Sequence, residues 1–402
     1  MRQKNLPQKL FILFAFLFCG KGLFAQSEQL VCPKMLLNDL SIQIESTEAI
    51  NQMYNFKFNQ AEAKFKDLKK RYPQHPMPYF LLGLSNWWKM LPNTDIHTFD
   101  DAFLAYMDSS ILFGEQLFDA NNNNLEAAFF LAASYGLKGE FYGTRKSYTK
   151  AAWATKNALR YFKVTSDNSS LSPEFLYGKG ILNYYRPWLK EKYPLLFPFL
   201  MLFPSGDEEL GIKQLKEVSY KAFYSRTEAQ YQLLRIYDNE DEYQKAYPIA
   251  KYLVKTFPDN SYFSRQYAKF AWFLNKYPEA KQECKSIIYK LDNGYPGFEA
   301  TAGRYAGYIL GDIYRKENKQ DSAQKYFEKA VIYSERAGYT DQGYYFYALD
   351  GLAEIAEESG NNKAALQYYK TLLHNGRKKR KRYEIVKDAK DKIKEIRKRD
   401  SD

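Results

Sequence analysis

The side chains able to do chemistry are few and scattered. The three histidines, His75, His97 and His374, lie far apart, and none has a second histidine three or four residues away. A helical zinc site needs that spacing, because it places two imidazoles on one face. No HExxH, GxSxG, P-loop or dinucleotide-binding pattern occurs. Asp238, Glu240, Asp241 and Glu242 cluster between two helical stretches, but their order does not match a calcium-binding loop. A solvated turn with capping carboxylates is expected there. Neither Cys32 nor Cys284 has a histidine beside it in sequence. Asn168-Ser169-Ser170 has the form of an N-glycan acceptor, a three-residue match of little weight. We therefore expect no catalytic residues, no cofactor, no metal site and no enzyme. A hydrolase whose site is assembled from separate loops is the one catalytic reading that spacing leaves open.

If chemistry does not organise the chain, its elements must. The 402 residues are 45% hydrophobic, enough for a sizeable core, and too apolar for a disordered chain. Three cysteines cannot build a disulfide scaffold. The N-terminus reads Arg2, Lys4 and Lys9, then an apolar run from Leu10 to Cys19, then Lys21-Gly22-Leu23-Phe24-Ala25. This is the layout of a signal peptide, with cleavage expected after Ala25. The apolar run is shorter than the roughly 20 residues that span a bilayer. Phe16-Leu17-Phe18 before Cys19 lacks the small residues that lipid attachment requires. Loss of residues 1–25 takes the net charge from +12 to +8. The leader, ending in Phe-Ala-Gln, resembles those of exported Bacteroidota proteins, which implies the periplasm or the inner face of the outer membrane. An oxidising compartment would permit a Cys32–Cys284 bridge. The position of Cys284 on a packing face favours a buried thiol.

A repeat governs the rest. Residues 227–260 hold Leu233, Leu234 and Tyr237 on a first helix and Tyr243, Ala246, Ala250 and Leu253 on a second, closed by Pro258. The next unit repeats the scheme with Tyr267, Ala268, Ala271, Tyr277, Ala280, Cys284 and Ile287. Ala246 to Ala280 is a step of 34, and the steps on to Ala323 and Ala365 are 43 and 42. The longer steps hold turn residues in their insertions, Gly294 and Pro296 in one and Gly338 and Gly343 in the other. Small residues let two antiparallel helices approach, and large ones such as Tyr237 and Phe327 fill the space between them. Each hairpin then stacks on the next to bury an apolar face it cannot hide alone. Leu310, Gly311, Tyr314, Ala323, Phe327 and Ala330 resemble the tetratricopeptide repeat pattern, and the resemblance covers residues 227–375. It implies an all-α, right-handed solenoid of antiparallel helix hairpins, a tetratricopeptide-like superhelix.

Upstream the pattern loosens. Phe58, Ala61, Phe65 and Leu68 mark a divergent unit, and further helices are expected at 79–90, 99–118, 125–137 and 175–185, with the last paired to a helix at 208–224. Asn121–Asn124 is expected to break the chain and cap the helix that follows. Between the last pair lies the insertion 186–206, where Pro194, Pro198 and Pro204 forbid one long helix. It could be buried over the groove, rest on a membrane surface, or expose an apolar patch of Trp188, Phe197, Phe199 and Phe203 to a partner. Gly178–Leu215 is similar to the middle of a eukaryotic tetratricopeptide family linked to inclusion-body clearance, through Gly206, Asp207, Gly211 and Leu215. That likeness covers under a tenth of the chain and implies fold only. The organisation is therefore a leader at 1–25, divergent repeats at 26–225, a regular array at 226–376 and a basic capping helix at 377–402.

The tail from Arg377 carries 13 basic and 6 acidic residues. Val386, Ala389, Ile393 and Ile396 recur at helical spacing, as a helix covering the last repeat would require. Attraction to anionic lipid, glycan or an acidic partner is the alternative reading of its charge. The leader argues against nucleic acid as a partner. The function expected is an exported scaffold for a protein or peptide partner in the cell envelope. The alternative is a structural subunit bound through its outer face or the 186–206 insertion. Gln230, Ser264 and Gly307, at the fourth place of each first helix, are the expected groove contacts.

Overall fold

The regular structure is helical, with no strand among the described residues. The computed structural model describes residues 35–192, 197–201, 205–341, 343–376 and 384–399, without the side chains of Lys192, Phe197 and Phe199. The expected leader, Cys32, Phe203 and the basic run 377–382 lie outside the described residues. The helices pair as hairpins: α1 (Leu40–Tyr54) with α2 (Phe58–Arg71), α3 (Pro76–Met90) with α4 (Asp100–Ala120), and α5 (Leu125–Thr144) with α6 (Tyr148–Asp167). After α7 (Pro173–Lys192) comes the short α8 (Phe197–Leu200), and α7 pairs with α9 (Glu208–Lys221). Four regular hairpins follow: α10 (Arg226–Asn239) with α11 (Tyr243–Thr256), α12 (Ser261–Phe273) with α13 (Tyr277–Asp292), α14 (Ala300–Lys316) with α15 (Gln320–Arg336), and α16 (Gly343–Glu358) with α17 (Asn362–Gly376). The last helix, α18 (Glu384–Arg399), lies on α17 and α16 and buries Val386, Ala389, Ile393 and Ile396.

Local chemistry sets the helix ends. Asp39, Asn124, Asp207 and Asn260 each accept backbone N–H bonds from the first turn of the helix that follows. Six hairpin turns share one backbone device. Phe56, Lys146, Asp241, Asn275, Asn318 and Gly360 all take the left-handed conformation. In each case the next residue's N–H donates to the carbonyl five positions back, as Glu242 does to Tyr237 and Lys276 to Ala271, both at 2.8 Å. This closes the first helix and aims the second back along it.

The small-residue ladder sits where close approach demands it. Ala246, Ala280, Ala323 and Ala365 are all fully buried. The Phe327 ring is wedged between Gly311 of its own hairpin and Gly351 of the next; a Cβ on Gly351 would come within 2.6 Å of it. Successive first helices pack on each other at α1–α3, α3–α5, α12–α14, α14–α16 and α16–α18, whereas among the described residues no two successive second helices pack comparably. The row therefore curves with its first helices on the inside.

The curved row closes on itself. The end of α1 and the end of α3 meet the start of α10 and α12. Tyr54 and Trp88 both donate to Glu228 Oε1, at 2.9 and 2.8 Å. Trp88 is fully buried and packs edge-on against Tyr54, Tyr231 and Phe263. Asn260 Nδ2 donates to the Tyr54 carbonyl at 2.8 Å, and Asn55 Oδ1 accepts from the Asp259 N–H at 2.9 Å. Farther along, Gly297 admits the Phe56 ring, and Tyr339 donates to Asp95 at 2.5 Å. Two buried carboxylates tie other joints. Glu126 accepts from the Leu36 and Leu37 N–H groups, and Glu174 accepts from those of Phe223, Tyr224 and Ser225 in the turn that leads into α10.

Two expectations change. Helix α7 runs through Pro187 to Lys192, where a break at Arg186 was expected. A proline ring opens the backbone on one side of a helix. Gly206 fills that opening, since a Cβ there would lie 2.8 Å from the Asn183 carbonyl and 3.0 Å from Pro187 Cδ. The helix at 125–137 likewise extends to Thr144.

Candidate inner-face binding site

The inner face carries a repeating set of side chains. The steps that relate Ala246, Ala280, Ala323 and Ala365 also relate Glu228, Tyr262, Tyr305 and Tyr347 on successive first helices. A turn farther on they relate Tyr231, Arg265, Tyr308 and Asp350, and then Arg235, Lys269, Asp312 and Glu354. Many of these positions meet across repeats, although the Tyr308 ring also lies 6.0 Å from Phe327 of its own hairpin.

The rings form a row. Tyr231 and Tyr262 have centroids 5.4 Å apart, Tyr305 and Tyr344 4.5 Å, Tyr308 and Tyr344 5.1 Å, and Tyr308 and Tyr347 6.0 Å. Arg265 bridges the gap in it, lying over Tyr262 at 5.6 Å and over Tyr305 at 5.4 Å. Tyr262, Arg265, Tyr305, Tyr308 and Tyr344 are half-buried, and Tyr347 is 46% exposed. Tyr231 is buried against Trp88, and from Tyr262 onward solvent reaches the row from one side while the repeats seal the other.

Charges run beside the rings and are mostly paired between repeats. Lys269 bonds Asp238 at 2.5 Å, Trp272 Nε1 donates to Asp312 at 2.6 Å, and Arg315 meets Glu354. Arg235 of α10 reaches Glu140 of α5, with Tyr177 and Tyr185 of α7 close to the pair. Enclosure shows in the acidities. Burial pushes the Glu228 carboxyl up to about 7, against the pull of its Trp88 and Tyr54 donors. Burial raises Asp350 to about 6, helped by the Glu354 carboxylate, and raises the Tyr262 phenol to about 12. Enclosure thus disfavours the charged form of both carboxyl groups.

The three expected groove contacts do not join this surface. Ser264 is fully buried, next to Glu283 of α13. A Cβ on Gly307 would lie 2.9 Å from the Ala330 backbone of α15. Gln230 is half-buried and turns toward α9, where Nε2 is 3.4 Å from the Ser219 carbonyl. The fourth place of a first helix thus faces the hairpin seams, and the exposure expected there is absent. The residues one or two places away, Glu228, Tyr231, Tyr262, Arg265 and Tyr308, line the inner face. Extending the alanine register to polar positions would have found them. Glu140 and Tyr177 have no such signal, because they come from the divergent repeats.

Of the expected apolar patch, Trp188 is 46% exposed and packs on Tyr185, while the side chains of Phe197, Phe199 and Phe203 lie outside the described residues. Neighbouring Leu200 is buried on Leu159 and Phe162 of α6, and Met201 is 66% exposed. The segment is thus buried in part and exposed in part. Cys284 is fully buried as a free thiol, and burial raises its pKa. Among the described residues no cluster of histidine, cysteine and carboxylate could hold a metal, and no helix is long and apolar enough to cross a membrane.

No protein-family model matches the sequence, and neither does any curated protein sequence. Solved structures similar to this chain include yeast Tom70, at 14% identity, with 90% of this chain and 76% of that one covered and a TM-score of 0.38. A tetratricopeptide repeat protein from Parabacteroides merdae is 14% identical, with 76% and 99% covered and a TM-score of 0.31. The tetratricopeptide domain of P58(IPK) is 12% identical, with 90% and 99% covered and a TM-score of 0.25. The shared turn device, the alanine ladder and the stacked hairpins make this chain an all-α solenoid of tetratricopeptide-like repeats.

Proposed function

We propose that this protein is a non-catalytic scaffold that holds a segment of a partner protein along its inner face. The observation that carries this reading is the solvent-reachable row of tyrosines on consecutive first helices. Tyrosine pairs a large apolar ring with a hydroxyl and loses little conformational entropy on binding, so it is favoured at recognition surfaces. A repeat array presents such rings at regular intervals, matched to an extended chain. We further propose that the scaffold is exported and works in the cell envelope, in the periplasm or at the inner face of the outer membrane. The basic, apolar and small-residue layout of positions 1–25 supports this.

Affinity capture from the native host tests the inner face. Tyr347→Ala combined with Tyr308→Ala is expected to lose the partner that the unaltered chain retains. Tyr220→Ala serves as the control, because Tyr220 is 80% exposed and lies on α9, a second helix. Equal capture by all three chains would refute the inner face as the binding surface. N-terminal sequencing of the mature protein and cell fractionation test export; a chain that retains Met1 in the cytoplasm ends that part of the proposal.

The exposure of Trp188 and Met201 favours a second reading, a structural subunit docked through the α7–α9 connection. Trp188→Ser would then release the partner while the tyrosine variants retain it.

A further inference from the structure

The cations of the inner face are paired one by one. Arg235 has Glu140, Lys269 has Asp238, and Arg315 has Glu354. Arg265 breaks the pattern. Its guanidinium lies over the rings of Tyr262 and Tyr305 and, among the described residues, has no carboxylate at ion-pair distance. The Tyr305 ring takes a second guanidinium, Arg304, at 4.9 Å, and Arg304 also lies 4.1 Å from the Tyr339 ring. Arg304 is only 5% exposed, and its Nε and Nη1 have no hydrogen-bond partner. Two positive charges therefore flank one ring in a partly dehydrated place, without a counter-charge. Ring faces compensate a cation only in part, and a half-dehydrated guanidinium is best satisfied by a planar anion.

Resting on the inner-face reading above, we propose that Arg265 recognises an acidic side chain within the bound segment, with Arg304 adding to the field from beneath. Arg304 is sealed under Tyr339 and cannot touch a ligand, whereas Arg265 is half-buried and reachable. The position of Arg265 in the row decides which carboxylate it meets. Tyr262 flanks Arg265 on one side, with Tyr231 beyond it buried against Trp88, and Tyr305, Tyr308, Tyr344 and Tyr347 continue the row on the other. A chain lying along the rings from Tyr347 runs past Arg265 onto Tyr262. The anion is therefore an aspartate or glutamate side chain flanked by residues that pack on rings, and not a chain terminus. A carboxylate can engage the guanidinium through two parallel N–H···O bonds.

Selection from random peptides displayed internally, with no free end, tests this on the full chain. The same library is panned on Arg265→Gln and Arg265→Lys, each checked by its thermal unfolding. Peptides selected by the unaltered chain should be enriched in one Asp or Glu between aromatic or aliphatic residues. Changing that residue to Asn or Gln in a synthetic capped peptide should weaken binding roughly tenfold or more. This exchange is made in the ligand, so it holds even if an arginine variant fails to fold. Arg265→Gln should lose both the preference and the sensitivity, and Arg265→Lys should keep a weaker form of each. Acidic enrichment that persists in Arg265→Gln overturns the proposal. So do selected peptides that carry no acidic residue yet depend on Tyr308, and so does binding confined to a library with free C-termini. Failure to select any peptide overturns the inner-face reading itself.

Discussion

Glu228 and Glu279 make the same hydrogen bonds and titrate in opposite directions. Each carboxylate accepts from two aromatic donors, Glu228 from Tyr54 and Trp88, and Glu279 from Tyr247 and Tyr267. Glu228 is enclosed where the curved row closes, and burial carries it up to about 7. Glu279 lies at the seam of α11, α12 and α13, partly open to water, with Lys251 Nζ at 3.0 Å. Its two phenols, with help from Lys251, take it down to about 2. Donors alone thus do not set the charge state. Enclosure overrides two hydrogen bonds and the pull of Arg235 at the closure, and exposure with a directly paired Lys251 reinforces them at the seam. The repeat seam behaves as a stable ionic joint, and the closure behaves as an apolar joint containing an acid that resists ionisation.

Removal of the shared donor at the closure should have the largest effect. Trp88 is fully buried against three rings. Trp88→Ala should cost about 3–5 kcal/mol, read as a lower denaturant midpoint. If the closure were a loose contact between independent halves, the variant would unfold in two separate transitions. A single cooperative transition at lower denaturant is expected instead.

The pH dependence should separate the two glutamates. The folded pKa of Glu228 lies above its unfolded value of about 4.5, so the native state holds the proton longer. Its contribution is most favourable below about pH 4.5 and falls as pH rises to about 7. Glu228→Gln keeps an acceptor for Tyr54 and Trp88 and removes the charge. It should be neutral at pH 4 and stabilise the fold at pH 8 by up to about 3 kcal/mol. Chemical denaturation of both chains across that range gives the difference. A constant difference between the two would mean that Glu228 ionises freely in the native state.

The two regions also differ in how far the sequence announces them. The seam is written in the register: Ala246, Ala280, Ala323 and Ala365 recur because each hairpin needs a small residue at the same crossing. The covering face of α18 is equally plain from Val386, Ala389, Ile393 and Ile396. The closure leaves no periodic trace. Tyr54 and Trp88 reach Glu228 from 174 and 140 residues away, and one-off contacts of that separation obey no repeat. The turn device is hidden for another reason. Its left-handed position is held by Phe, Lys, Asp, Asn or Gly, because the backbone bond to the first helix, and not the side chain, selects the conformation. Tyr262, Arg265 and Tyr308 of the inner face share the alanine register, yet a search for packing positions passes over them.

The smallest effect is expected at the seam, and it runs the other way in pH. The folded pKa of Glu279 is depressed, so its carboxylate stabilises the fold above about pH 4.5, and this is lost as pH falls toward about 2. Its side chain is 35% exposed, so solvent screening reduces the gain well below the bare shift. Glu279→Gln should cost about 1 kcal/mol at pH 7 and nothing near pH 2, and added salt should shrink the difference further. Tyr267 tightens the test. Its phenol is raised by burial and by the bond to Glu279, so in Glu279→Gln it should titrate at lower pH by ultraviolet absorbance. An unchanged Tyr267 titration would show that burial alone holds the phenol. The contrast with Glu228 would then reflect enclosure only, with the phenol bonds contributing little at either site.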